Sequence, residues 1–218
     1  MSTLRQEPVV ETTPRRGGDG EPAWDVALLF PLQGRWSEAD YLAIDTNRMV
    51  ELADGRLEVL SMPTLYHQLL VQYFVIRLDS HVVERRLGQV AFAPLPVRLF
   101  PGTFREPDIV FLRRERVGNP HDPVNGADLV VEVVSDGSED RRRDLVIKRN
   151  EYARAGIAEY WIVDPQGQCV LVLVLEAGEY RVHQECRPGG SAASVLLPGF
   201  QISVDELFAA GSKSTERP

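Results

Sequence analysis

Glu132 lies in the middle of the run Leu129-Val130-Val131-Glu132-Val133-Val134, with valine on both sides. An ionised carboxylate buried there without a partner would cost several kcal/mol, so a proton, a cation or a metal has to stand beside it. A buried Glu–Arg pair, or a strand end that reaches water, would meet the same need. Asp108 follows Pro107 at the start of another apolar run, Asp108 to Leu112. Alone it reads as a turn or strand-start residue. If the two runs are neighbouring strands, their carboxylates make a site of hard oxygen donors. Mg²⁺ takes such sites, completing its shell with water and substrate phosphate. A metal held there activates water and neutralises charge on a phosphodiester.

Asp144, Lys148 and Tyr152 recur at intervals of four, which sets them on one face of a helix. The plain reading of the first two is a solvated ion pair one helical turn apart. Composition adds weight to the lysine. Only Lys148 and Lys213 are lysines, so 22 of the 24 Lys plus Arg are arginine. A genome-level bias toward arginine codons accounts for that skew. Against it the one lysine of the folded region is mildly informative, since chemistry can demand lysine rather than arginine. Reaching toward Glu132, it would orient an attacking water and stabilise charge on a phosphate. Arg141, Arg142 and Arg143 precede it as candidate phosphate contacts, although three successive residues cannot share one helical face.

Several elements must position these groups. Ser37 with Glu38 and Asp40 reads as the N-cap of a short helix through Ile44. Val50 to Leu52 and Arg56 to Met62 form a hairpin turned at Asp54-Gly55. Tyr66 to Arg86 is the longest helix, with Leu69, Leu70, Tyr73, Phe74, Ile76 and Leu78 as its apolar face and Gly88 closing it. Strands follow at 89–92, 96–100 and 108–112. The run 129–134 is a strand covered on both faces. A helix from Glu139 to Ala155, stopped by Gly156, leads to a strand at 160–163. A hairpin of 169–175 and 179–183 turns at Ala177-Gly178, and a short strand and helix at 201–208 end the fold. Hairpins followed by a strand–helix–strand unit indicate an α/β fold with a mixed sheet between helices.

In that context the chain resembles a known family. The resemblance is carried by Glu106-Pro107-Asp108, by Ala127 to Ser135, by Asp144 with Lys148, by Tyr152 to Ile157 and by Glu159 to Asp164. Glu51-Leu52, Asp54-Gly55, Met62-Pro63, His67, Leu197 to Phe200 and Glu206 to Phe208 extend it over residues 36 to 208. Together they resemble the Uma-two type of endonuclease, a bacterial branch of the PD-(D/E)XK nuclease superfamily. The resemblance implies a restriction-endonuclease-like fold, a central mixed β-sheet flanked by helices with additional antiparallel hairpins. It implies Asp108 and Glu132 as metal ligands for Mg²⁺, with Mn²⁺ as a substitute, and an Mg-dependent endodeoxyribonuclease activity. The lysine common two residues after the second acid is absent, because Val134 stands there. Lys148 takes its place from the following helix. Glu51 resembles an extra N-terminal acid of the metal shell. His67, Arg141 and Arg142 are the expected substrate contacts. Nucleic acid, DNA foremost, is the implied partner, and a homodimer the implied assembly.

Composition bounds these expectations. The formal net charge of −8 over 218 residues is unusual for a protein that lives on duplex DNA, so phosphate binding requires a local basic stripe, a metal or a partner. It leaves open a nuclease-fold binding or regulatory module with little turnover, or hydrolysis of another phosphate ester. Residues 1–22 and 211–218 are expected to be disordered tails around a single domain at 23–210. Cys169 and Cys186 have no metal-ligand spacing, the N-terminus carries no signal segment, and no apolar run exceeds Val170 to Leu175. A cytoplasmic chain with no membrane span is the expectation.

Overall fold

Alternation and breaker residues fix the elements in order. The computed structural model describes residues 33–46 and 48–212. Helix α1 (Glu38–Leu42) opens at Ser37, whose side chain and that of Asp40 form a reciprocal capping box. Strands β1 (Val50–Ala53) and β2 (Arg56–Val59) pair antiparallel. Their turn places Asp54 and Gly55 at positive φ, 49° and 69°, as the Asp-Gly signal requires.

Helix α2 (Leu65–Arg85) is capped by Thr64. Its buried stripe is Leu70, Val71, Phe74, Leu78 and Val82, whereas Ile76, expected in the apolar face, is exposed. Gly88 does not close the helix. Arg86 takes the left-handed position at φ 55°, and Gly88 opens β3 (Gly88–Phe92). A Cβ there would collide with the carbonyl oxygen of Leu112 on the neighbouring strand, so the glycine serves close strand approach.

Next come β4 (Val97–Phe100), β5 (Thr103–Arg105), β6 (Ile109–Arg113), β7 (Val124–Asn125) and β8 (Leu129–Val133). Helix α3 (Ser138–Arg142) runs through a π-helical turn (Arg143–Ile147) into α4 (Lys148–Arg154). Gly156, at φ 76°, stops it. Then follow β9 (Glu159–Asp164), β10 (Cys169–Glu176), β11 (Glu179–Cys186), β12 (Ser191–Ala193), β13 (Gln201–Ser203) and helix α5 (Val204–Ser212).

The main sheet has the order β11-β10-β9-β8-β6-β3. Its β8–β9 pair is parallel and its other pairs antiparallel, so the sheet is mixed. Every residue of β8 is buried. Leu129, Val131 and Val133 pack with Phe74, Leu78 and Trp161 on the α2 face, while Val130 and Val134 pack with Tyr152, Ile157 and Tyr160 on the α4 face. Both faces are therefore covered, as the unbroken valine run requires. A second sheet, β2-β1-β5-β4-β7, lies beside it with a smaller core of Tyr41, Val50, Leu52, Leu57 and Phe104.

Strands β5, β7 and β12 have two or three residues each and give no alternation in the sequence. The tail expected at 1–22 lies outside the described residues. At the other end α5 reaches Ser212 with Gly211 buried against the Tyr66 ring, two residues into the stretch expected to fray. No helix among the described residues is long and apolar enough to cross a membrane.

Candidate active site

The antiparallel register of β6 and β8 pairs Ile109 with Val131. One more step of that register sets Asp108 across from Glu132, so the two acids occupy the same end of neighbouring strands. Asp108 Oδ2 accepts the Val133 backbone N–H at 2.7 Å. His67, in the first turn of α2, places Nε2 3.3 Å from the same oxygen. Burial opposes a charge on that imidazole, but Asp108 beside it wins and the His67 pKa rises. His67 Nδ1 is buried, with no hydrogen-bond partner among the described residues.

The helix after β8 supplies the other half of the site. The Lys148 N–H bonds the Arg143 carbonyl, five residues back, and closes the π turn. Such widened turns recur at functional sites. Asp144, Lys148 and Tyr152 are all buried on the face turned to β8. Lys148 Nζ donates to Glu132 Oε1 at 2.8 Å and lies 3.2 Å from Glu51 Oε1 and 3.5 Å from Asp144 Oδ1. The Tyr152 hydroxyl donates to Glu132 Oε1 at 2.6 Å. The solvated surface pair is thus not what forms; with Lys148 only 2% exposed, the lysine is an internal cation ringed by three acids.

Glu51 arrives from the second sheet. Its partner across β1–β2 is Glu58, a repulsive pairing that Arg105 bridges. The Arg105 guanidinium donates to Glu51 at 2.8 Å, to Glu58 at 2.6 Å and to both oxygens of Glu151 at 2.7 and 2.8 Å. Glu51 Oε1 also accepts the Glu106 N–H at 2.9 Å. Burial alone would raise the Glu51 carboxyl, but Lys148 and then Arg105 outweigh it, and its pKa falls to about 2. Glu132 moves the other way. Burial lifts its pKa, Lys148 offsets only part of this, and Asp144, Asp108 and Glu51 lift it further. Asp144 is raised as well, by burial first. Lys148 is raised despite its burial, because Glu132, Glu51 and Asp144 surround it.

Burial of an acid does not by itself imply a cation. Glu159 on β9 is 1% exposed, yet it is satisfied by neutral donors: the Trp161 indole, the Ser194 hydroxyl and the N–H groups of Val195 and Leu196. Glu132 has no comparable set. Both its hydrogen bonds fall on Oε1, and among the described residues none reaches Oε2.

The remaining candidates separate. Arg141 is held by Asp164 through two bonds of 2.8 and 2.7 Å. That pair ties the helix to β9, while the Arg141 side chain remains 25% exposed. Arg142 is exposed. Arg143 turns inward, 2.8 Å from Asp140 and 3.4 Å from Asp144. The sequence reading missed Arg105, whose Thr-Phe-Arg strand is too short to announce a buried cation.

Four buried acids, Glu51, Asp108, Glu132 and Asp144, meet here, and the Asp144 Oδ1 atom lacks a hydrogen bond. Among the described residues no three His, Cys, Asp or Glu side chains form a ready-made metal cage. Four clustered carboxylates, one of them with an oxygen held only by long ion pairs, nonetheless suit a hard divalent cation, so the donor set fits one.

Comparison with known proteins agrees with this architecture. A crystal structure described as a putative nuclease belonging to DUF820, from Anabaena variabilis ATCC 29413, superposes with a TM-score of 0.66 at 19% identity, covering 79% of this chain and 97% of that one. At that identity the likeness shows the fold, which is restriction-endonuclease-like. A search of curated proteins finds no match. The profile of the Uma2 family, described as "Putative restriction endonuclease", matches residues 36–205, and the chain belongs to that family.

Proposed function

We propose that the chain is a divalent-metal-dependent nuclease of the PD-(D/E)XK type that hydrolyses phosphodiester bonds of nucleic acid, DNA foremost. The observation that carries this reading is the Lys148 ammonium set between Glu132 and Glu51, with Asp108 at the end of the adjoining strand. Membership of a family described as "Putative restriction endonuclease", and a fold shared with a protein described as a "putative nuclease", support it.

Asp108 and Glu132 would hold the cation, Mg²⁺ or Mn²⁺, with Glu51 and Asp144 as further acids of the same cluster. When bound, the cation lowers the pKa of water and screens phosphate charge. The protein's own groups do the rest. Tyr152 fixes Glu132 by its 2.6 Å bond, and the Val133 N–H fixes Asp108. Glu51, kept ionised by Lys148 and Arg105, holds the lysine at the acids. Lys148 carries N–H donors to a water or a phosphate oxygen. His67, beside Asp108, and exposed Arg142 would supply the substrate contacts.

The test is incubation of purified protein with single- and double-stranded DNA and RNA in Mg²⁺ or Mn²⁺, beside a Glu132→Ala control. Cleavage by the parent protein that disappears in EDTA and in the variant supports the reading. Cleavage that survives the substitution places the chemistry elsewhere. Binding without cleavage favours the regulatory module.

A further inference from the structure

A cavity of about 300 Å³ opens beside the core of the small sheet. Tyr41, Ile44, Met49, Pro94 and Pro96 give it apolar and flat walls, Arg48 lines it with an exposed guanidinium, and Glu106 provides its acid. Glu106 is 7% exposed, and among the described residues its buried Oε2 makes no hydrogen bond. The Tyr41 hydroxyl, which donates to the Val50 carbonyl at 2.9 Å, and the Val50 backbone also lie close enough to favour the ionised Glu106 carboxyl. A further donor reaching the part of Glu106 that lines the cavity would add to that stabilisation. The cavity has the size and make-up of a ligand pocket, mostly apolar with a few convergent polar groups.

Its place narrows the ligand. Glu106 stands two residues before Asp108, and its N–H holds Glu51, so the cavity adjoins the acids on their second-sheet side. Two extended residues span about 7 Å, which is about two phosphate repeats of a stacked strand. The chain's net charge of −8 also argues that phosphate contacts alone give weak affinity. Base stacking and base-edge contacts supply affinity that does not depend on net charge.

We infer that this cavity receives one unpaired nucleobase of the substrate strand, with its exocyclic amino group donating to Glu106, its faces against Met49, Pro94 and Pro96, and its phosphate near Arg48. Cytosine, adenine and guanine carry such an amino group; thymine and uracil do not. A base inside a duplex cannot reach the cavity, so the inference favours single-stranded or extruded substrate. It rests on the nucleic-acid reading proposed above.

The experiment is fluorescence-anisotropy titration of the full chain with labelled single strands of oligo(dC), oligo(dT) and an abasic strand of equal length, in Ca²⁺. Parent protein, Glu106→Gln and Arg142→Ala are compared, with circular dichroism to confirm that each is folded. The parent protein binds oligo(dC) about tenfold more tightly than the abasic strand, and more tightly than oligo(dT). Glu106→Gln loses the cytosine preference, whereas Arg142→Ala weakens all three strands alike. Equal binding of intact and abasic strands by the parent protein overturns the base pocket and leaves the nuclease reading standing. A cytosine preference undiminished in Glu106→Gln overturns the role of Glu106. Failure to bind any strand overturns the nucleic-acid reading itself, and the pocket with it.

Discussion

Two buried cations sit side by side in this protein, each ringed by three acids, and they do opposite things. Arg105 is saturated: its guanidinium serves Glu51, Glu58 and both oxygens of Glu151 in short bonds. Lys148 meets Glu132, Glu51 and Asp144 at 2.8, 3.2 and 3.5 Å, with oxygens left over. Glu51 belongs to both clusters and is driven down, whereas Glu132 belongs only to the second and is driven up. The planar fork of arginine suits a finished clasp, and the compact ammonium of lysine suits a centre that has to exchange partners. A closed cluster stabilises the junction of sheet and helix; an open one keeps surplus negative charge for a cation.

The largest expected effect separates function from stability. Lys148→Met lowers cleavage by at least about 10³-fold in a gel assay, as removal of a catalytic group does. Mn²⁺ raises its thermal midpoint, because a dication replaces the missing ammonium among the acids. Arg105→Met strips Glu58 and Glu151 of this partner, leaves Glu51 its ion pair with Lys148, and costs about 3–5 kcal/mol in urea denaturation, as expected for a broken buried pair. Mn²⁺ does not restore it. Equal rescue of both variants would erase the distinction between the clusters.

How far the sequence disclosed this contrast depends on length and on chain separation. Glu132 was legible because a charged residue inside a five-residue buried strand conflicts with its neighbours. The spacing of Asp144, Lys148 and Tyr152 was legible as one helical face, but its direction was not. A four-residue period is the same for a solvated pair and a buried one, and here Glu132 on β8 decides between them. Arg105 and Glu58 were invisible because their meaning arises only where β1, β2 and β5 pair side by side. The pairing of Arg141 with Asp164 was not legible, because the two are 23 residues apart. The main-sheet strands and both long helices lay close to expectation. The cap of α2 moved from Gly88 to Arg86, because Gly88 is required by strand approach at Leu112.

Acidity should show the same division at intermediate size. The folded Glu51 value of about 2 lies below its ordinary 4.5, so its stabilisation is complete above about pH 4.5 and is lost as pH falls toward 2. Glu132 has the opposite sign. The folded state keeps its proton where the unfolded state has released it, so metal-free stability declines as pH rises above 4.5. Urea midpoints without metal should therefore pass through a maximum in mildly acid solution. In Glu132→Gln the alkaline decline is reduced, while the acid limb remains.

The smallest effect concerns the two arginines at the head of the helix. Arg142→Ala reduces the salt dependence of DNA binding by about one counterion. Arg141→Ala leaves that slope unchanged and costs about 1 kcal/mol or less, through its partly exposed pair with Asp164. Interchanged results would return Arg141 to the substrate.

The central claim is that the open cluster holds a divalent cation through Glu132 and Asp108. Calorimetric titration of the metal-free protein with Mn²⁺, beside Glu132→Gln, tests it most directly. The account predicts saturable binding with proton release by the parent protein, and affinity lowered at least about tenfold in the variant. Equal Mn²⁺ binding by the two proteins would contradict it.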